Sequence, residues 1–464
     1  MALLIKGGRI ITATDDYVAD IYCEGETITR IDKSIDAASL KKNDVEVIDA
    51  SGKYVFPGFI DPHVHIYLPF MGSFAIDDYE SASKAALAGG TTTLIEMICP
   101  GPTDEPFAAF ETWKSKAEGI SAMDYTFHMS VVRFEAAVRE QFKQIVDAGV
   151  ASFKVFLAYK GALDLSDESL FAMMQMAKKL GVIVTAHCEN AEAVDAMQKL
   201  LLAEGKTGPE WHGPSRPPAV EASGVNHICT FASLTGAHVY TVHTSCEDAV
   251  RQAEAARSRG VKVWIESVAP HLVLDETYAA RPNFEGAKYV MSPPLREKKN
   301  QQVLWNGLAS RSISTVGTDH APFRFADQKV MGKDAFTKIP NGIATIQERV
   351  DLVHTYGVVP GKISLQAMVD SCSTKVAEIF GMYPKKGAIQ VGSDADLVVY
   401  DPEFRGTFSQ ADSLSKVDYC AYEGWERRGR ASVVTLRGEV QARDGKFVGT
   451  TGRGQFVARE PTHG

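Results

Sequence analysis

Eight short apolar runs alternate with longer helical stretches through the middle of this chain, and no other feature constrains its fold as much. The runs lie at 59–66, 91–98, 125–132, 152–158, 182–187, 239–243, 261–267 and 313–319. Helical patterns separate them at 78–88, 107–116, 134–148, 167–180, 191–203 with 222–234, 247–258 and 298–309. Such alternation is the pattern of βα units on a parallel sheet. Eight units over roughly 260 residues match a closed (β/α)8 barrel, a TIM barrel. An open doubly wound sheet is the alternative that spacing alone leaves standing.

The two ends of the chain have another texture. Short β-rich pieces at 10–14, 19–23 and 45–48 precede the first run, and 387–389, 395–400, 432–437 and 439–443 follow the last helical patterns at 345–356 and 365–380. Turn residues punctuate both sets, among them Gly7-Gly8, Asp15-Asp16, Gly392-Ser393 and Asp444-Gly445. The reading is an α/β chain in three segments: 1–56 and 386–464 form a small β-sandwich domain from both termini, and 57–385 is the barrel inserted between them. The tail after about Gly452 reads as extended or disordered.

Charge and cysteine usage narrow the partners. Lys plus Arg number 49 against 58 Asp plus Glu, a net charge of −9. No basic cluster exceeds Lys298-Lys299 or Arg427-Arg428-Gly429-Arg430, so nucleic acid is not an expected partner. No apolar run reaches the ~18 residues that span a bilayer, and the first residues lack the pattern of a signal peptide. The seven cysteines are odd in number and widely spaced, without a Cys-x-x-Cys pair. That argues against a disulfide framework and fits a reducing cytoplasm.

Polar residues mark the C-terminal ends of the barrel runs, where active sites of such barrels lie. Asp61-Pro62-His63-Val64-His65 ends the first run, and its two histidines at i, i+2 share one face of a strand. The fourth run carries Lys154 inside Ser152-Phe153-Lys154-Val155-Phe156. An unpaired ammonium in an apolar strand is expensive, burial depresses its pKa, and a neutral amine can react with CO2. The resulting carbamate could bridge two cations. His187, His243 and Asp319 end the fifth, sixth and eighth runs. Each alone could be a core or turn residue. Together, four histidines, one lysine and one aspartate at the ends of five strands make a set that suits zinc and similar ions. His320 follows Asp319 and faces away from it, which makes it structural rather than ligating. The remaining histidines receive no role. The apolar loop Ile66-Tyr67-Leu68-Pro69-Phe70-Met71 offers Leu68 and Phe70, with Phe156 and Leu163, as a pocket for a ring substituent.

With these motifs in hand the chain resembles the amidohydrolase superfamily and, within it, the dihydropyrimidinase and D-hydantoinase family. The resemblance runs over nearly the whole chain. It rests on Gly58-Phe59-Ile60-Asp61-Pro62-His63-Val64-His65, on Phe153 to Lys160, on His187-Cys188-Glu189-Asn190, on Tyr289 to Arg296, and on Phe336 to Gly342. It implies two divalent metal ions, zinc before manganese or cobalt, bridged by a carbamylated Lys154. His63, His65 and Asp319 would hold the more buried ion; His187 and His243 would hold the other. Tyr159 would donate to the substrate carbonyl, and Asp319 would serve as base and then acid. Ser292 and Asn341 would bind a cyclic ureide through backbone groups, and the assembly would be a homotetramer. The expected reaction is ring opening of 5,6-dihydropyrimidines or 5-substituted hydantoins to N-carbamoyl amino acids. Two positions depart from the pattern, Glu96 in place of an aspartate and Ala321 in place of a cysteine, and neither removes a ligand.

Neighbouring activities fit less well. Dihydroorotase binds a substrate carboxylate with an arginine where this chain has Tyr67, and carries a histidine where it has Phe323. Allantoinase also takes a neutral ureide, but the apolar first loop favours apolar substituents. A non-catalytic scaffold of this family would have lost ligands that are all present here. A mononuclear deaminase is disfavoured by Lys154 and the two later histidines.

Overall fold

Parallel strands covered on both faces need apolar residues at nearly every position, and the runs supply them. In the computed structural model, which describes residues 2–40 and 44–463, Thr91–Ile98 is buried along its whole length, as are Asp124–Ser130 and Ser152–Phe156. The eight barrel strands are Phe59–Val64, these three, Ile183–His187, Val239–Thr241, Val263–Val268 and Thr315–Gly317, and each pairs in parallel with its neighbour in chain order. The first and eighth close the ring. The Asp319 N–H donates to His63 O at 3.0 Å and the His65 N–H to His320 O at 2.8 Å. Closure excludes the open doubly wound sheet.

Local signals position the outer helices. Asp167–Leu180 begins after Ser166, whose hydroxyl accepts from the Ser169 N–H, and it carries Asp167 and Glu168 in its first turn and Lys178 and Lys179 in its last. That cap contributes about 1 kcal/mol, and the charges complement the helix dipole. Leu170, Met173, Met174 and Ala177 form its buried stripe, the i, i+3, i+4, i+7 spacing of an amphipathic helix.

Both termini build one mixed sheet. Ala2–Ile11 pairs antiparallel with Asp16–Glu24 and parallel with Val45–Asp49 and with Tyr54–Pro57. An irregularity between Ile5 and Gly8 lets that strand change partner midway. Tyr54–Pro57 then pairs antiparallel with Leu397–Thr407, which joins Glu426–Leu436, Glu439–Arg443 and Lys446–Phe447 to the sheet. Leu3, Ile5, Ile21, Ile28, Val55, Leu397 and Val399 share its core.

Three local expectations need correction. The helix expected at 134–148 is Arg139–Asp147; Phe134 and Val138 supply a helical period but enter the core from turns. Residues 387–389 are not a strand. Gly387 holds φ 74° and packs so closely on a helix that a Cβ there would lie 2.8 Å from that of Ala377. The pattern at 345–356 becomes helical only at Arg349–Val353 and continues through a π-helical segment, His354–Val358.

The N-terminal end of the barrel is sealed by charge and by the tail. Lys386 Nζ, buried, lies 2.5 Å from Asp124, 2.7 Å from Asp396 and 2.9 Å from Asp394. The tail is extended: the Tyr125 N–H donates to Gln455 O at 3.0 Å and the Val457 N–H to Tyr125 O at 2.8 Å. Buried Arg459 then reaches the hydroxyls of Thr126 and Ser152.

Candidate metal centre

At the opposite, C-terminal end of the strands the ligand candidates meet. His63, His65 and Asp319 are buried, and their ligand atoms lie within 4.8 Å of one another; both imidazole Nε2 atoms are 3.2 Å from Asp319 Oδ1. The His63 ring is 5.2 Å from His243, and His243 is 4.6 Å from His187. Lys154 is fully buried, with Nζ 5.1 Å from the Phe156 ring centroid. Apart from His63, every residue that the sequence reading places at the site lines one pocket: Lys154, His65, His187, His243 and Asp319; Tyr159, Ser292 and Asn341; and Leu68, Phe70, Phe156 and Leu163. Ala321 completes it.

Tyr159, His243 and Asp319 have φ of 62°, 38° and 51°. Non-glycine residues rarely adopt this left-handed region, and where they do the surrounding structure must hold them there. Here three sharp departures from the strand ends turn their side chains toward one pocket.

Electrostatics favour neutral lone pairs. Burial, followed by the charge of Lys154, holds the His63 imidazole well below its usual value; burial acts likewise on His187 and His243. Burial pushes the Lys154 ammonium down to about 8, against the opposing charges of Asp319 and Glu266. His63 Nε2, His243 Nδ1 and Lys154 Nζ have no hydrogen-bond partner. Leaving buried polar atoms unpaired costs about 1–3 kcal/mol each, so a cluster of them is arranged for another occupant. Imidazole nitrogens beside a carboxylate are the donor set for a borderline divalent cation, and the residues fit one. Among the described residues, a second group, Asp124, Asp394 and Asp396, also has ligand spacing. The Lys386 ammonium already fills that group.

The sequence reading missed the residues that fix the ligands. Glu266 Oε1 lies 2.8 Å from His63 Nδ1. Glu189 Oε2 lies 2.6 Å from His187 Nε2 and also accepts from Arg216 Nη1 at 2.6 Å. A charged residue inside an apolar strand is the signal that singled out Lys154, and Glu266 within Val263–Val268 carries the same signal. His212, given no role, reaches the site: its Nε2 lies 2.8 Å from Met291 O and 3.3 Å from Ser292 Oγ. The Ser292 hydroxyl also accepts from Asn341 Nδ2 at 2.9 Å. His320 turns from the pocket to Asp77 at 2.9 Å. Glu96 accepts from the Ile66 N–H at 2.8 Å and from Trp113, holding the base of the first loop.

Comparison with known proteins agrees with this geometry. The amidohydrolase family model matches residues 54–441. A D-hydantoinase of Geobacillus stearothermophilus is 43% identical over 460 residues, 99% of this chain and 97% of that protein. A dihydropyrimidinase of Rattus norvegicus is 37% identical, over 99% of this chain and 89% of that one. The solved D-hydantoinase (dihydropyrimidinase) from Thermus sp. superposes with a TM-score of 0.97 at 57% identity, covering 99% of this chain and all of the other. Fold, pocket and these relatives place the chain in the amidohydrolase family, within its D-hydantoinase and dihydropyrimidinase branch.

Proposed function

We propose that this chain hydrolyses the ring amide of 5,6-dihydropyrimidines and 5-substituted hydantoins, releasing N-carbamoyl amino acids. The observation that carries this reading is the convergence of His65, Lys154, His187, His243 and Asp319 on one apolar-walled pocket, with His63 behind Asp319. His63, His65 and Asp319 would hold one divalent ion, His187 and His243 a second, and a Lys154 carbamate would reach both. A neutral Lys154 amine adds to CO2, forming an N–C bond and losing a proton, to give that anion. Zinc is the first candidate; manganese and cobalt accept the same ligands. When bound, such a pair supplies an acidified water and a positive field at the ring carbonyl.

The chain's own groups supply the rest. Asp319 accepts the proton of the attacking water and returns it to the leaving ring nitrogen, acting as base and then acid. Tyr159 donates its O–H to the carbonyl oxygen as charge develops there. Ser292 and Asn341 hold the ureide through backbone groups, and Leu68, Phe70, Phe156 and Leu163 face its substituent. The reading includes a homotetramer in a reducing cytoplasm; all seven cysteines are free thiols. No helix among the described residues is long and apolar enough to cross a membrane.

The test is turnover of dihydrouracil, 5-phenylhydantoin, allantoin and dihydroorotate by metal-loaded protein. Ring opening of the first two without dihydroorotate is expected, and their ratio separates a pyrimidine preference from a hydantoin preference. Turnover of dihydroorotate alone, or silence across the panel at full metal loading, would overturn the reading.

A further inference from the structure

Arg216 is buried in the turn ahead of the helix Pro218–Thr235, and its guanidinium touches two parts of the site at once. Its Nη1 donates to Glu189 Oε2 at 2.6 Å. Its central carbon lies over the Tyr159 ring, 5.6 Å from the centroid.

The Glu189 contact leads to the second proposed metal position. The same Oε2 stands 2.6 Å from His187 Nε2. A carboxylate only accepts, so Nε2 carries the proton and Nδ1 keeps the lone pair that a cation needs. Glu189 is fully buried, and its other oxygen, Oε1, has no hydrogen-bond partner. Arg216 is therefore what holds this carboxylate from the side away from His187.

The Tyr159 contact leads to the proposed donor to the carbonyl. Phe70, Phe156 and His187 also meet that ring, with centroids 5.3, 6.0 and 5.3 Å away. Arg216 adds a cation–π contact in a site shielded from water, where such contacts are strongest.

Arg216 is itself anchored. Its N–H donates to Gly213 O at 2.9 Å, and its carbonyl accepts from Arg296 Nη1. Arg296 also donates to Ser245 Oγ at 2.9 Å, two residues after His243. A buried ion pair stabilises a fold no better than apolar side chains of the same volume, so packing alone does not account for a guanidinium here.

We propose that Arg216 is a positioning residue for ring opening: through Glu189 it orients His187 for a cation, and through the Tyr159 ring it aims the phenol at the carbonyl. One side chain thus sets a metal position and a hydrogen-bond donor relative to each other. The role rests on the ring-hydrolysis reading.

The test is Arg216→Met, read in two ways. Metal per chain after dialysis against graded chelator should show retention weakened about 10–100-fold, as for other groups that orient metal-binding histidines. At saturating metal, kcat for dihydrouracil should fall about tenfold with KM unchanged, the scale of a desolvated cation–π contact. In a Tyr159→Phe background the same substitution should cost kcat almost nothing, because the group it acts through is gone. Should Arg216→Met not fold, Arg216→Lys is read in its place. Its ammonium is a point charge without the planar fork, so both losses are expected at about threefold or more. Parental metal retention, a parental kcat, or an equal kcat loss in both backgrounds would overturn the role. If the parent opens no ring at full metal loading, the ring-hydrolysis reading falls separately. Retention then still reads the Glu189 arm, and the spacing of the Tyr159 and His187 rings in crystals of parent and variant reads the other; an unchanged value in either would overturn the role.

Discussion

Glu266 Oε1 stands 2.8 Å from His63 Nδ1, and the same oxygen accepts from the His243 backbone N–H at 2.8 Å. One carboxylate thus holds a histidine from each proposed metal position. With Nδ1–H donated to Glu266, His63 Nε2 is left with its lone pair beside Asp319. Tyr240 donates to the other Glu266 oxygen at 2.7 Å and fixes its rotamer. Groups that orient metal-binding histidines in this way are worth about 10–100-fold in metal affinity. Glu266→Gln should weaken metal retention by that factor, read as metal per chain after dialysis against graded chelator. Retention equal to the parent's would remove Glu266 from this role.

Lys154 has no carboxylate within hydrogen-bond reach, and its Nζ is unpartnered. A lysine buried for packing alone would tolerate truncation to an apolar residue. A lysine that becomes a metal-bridging anion would not, because Lewis-acid assistance supplies several kcal/mol of barrier lowering, about 10³-fold in rate. Lys154→Ala should lose activity on that scale and recover part of it when acetate or propionate is added. Absence of both the loss and the rescue would leave Lys154 a core residue.

Tyr159 is the donor proposed for the reacting carbonyl. Its ring lies 5.3 Å from His187, and Phe70 meets it edge-on at 5.3 Å. Burial pushes its phenol up to about 12, against the opposing charge of Arg216, so the O–H remains a donor throughout the neutral range. Tyr159→Phe should lower kcat roughly 10²-fold with little change in KM, the pattern of an interaction strengthened in the transition state. A change confined to KM would make Tyr159 a binding residue only.

Most of the barrel is legible in the sequence because its strands are apolar on both sides and its helices carry caps and stripes. Thr91–Ile98, Asp167–Leu180 and Glu247–Ser258 are found with their sequence-predicted bounds. The pocket residues are legible for a related reason: a charged or imidazole side chain at the end of an apolar run stands out. Arg216 and Lys329 sit outside the strands and carry no such mark, and Glu266, which does, gives no sign of its partner. Glu266 meets His63 from 203 residues away, and no local period encodes such a contact. The run at 134–138 misled because burial alone produces a helical spacing when turns enter the core.

Lys386 holds three carboxylates at the closed end of the barrel. Removing one partner of a buried ionic cluster leaves the others uncompensated, at about 3–5 kcal/mol. Lys386→Met should therefore lower the thermal unfolding midpoint markedly. Activity per folded molecule at low temperature should be kept, since the cluster sits at the opposite end of the strands from the pocket. An unchanged midpoint would mean that the carboxylates take up protons at little cost.

Lys329 does comparable work nearer the substrate without any acid to pair with. It is fully buried, and its Nζ donates to Val290 O at 2.9 Å and to Gly342 O at 2.7 Å. Burial drives its ammonium well below the usual value, and a neutral amine still makes both bonds. Those carbonyls lie two residues before Ser292 and one after Asn341, the two segments proposed to clamp the ureide. The Gly342 N–H also donates to Val290 O at 2.9 Å. A Cβ on Gly342 would come within 2.2 Å of Ala321 O, so the clamp has no slack on its far side. Lys329→Met removes the tie while keeping the bulk. Losing two such bonds should raise KM for dihydrouracil about tenfold, with kcat and metal content held. If kcat or metal content falls while KM stays flat, Lys329 supports the barrel and not the clamp.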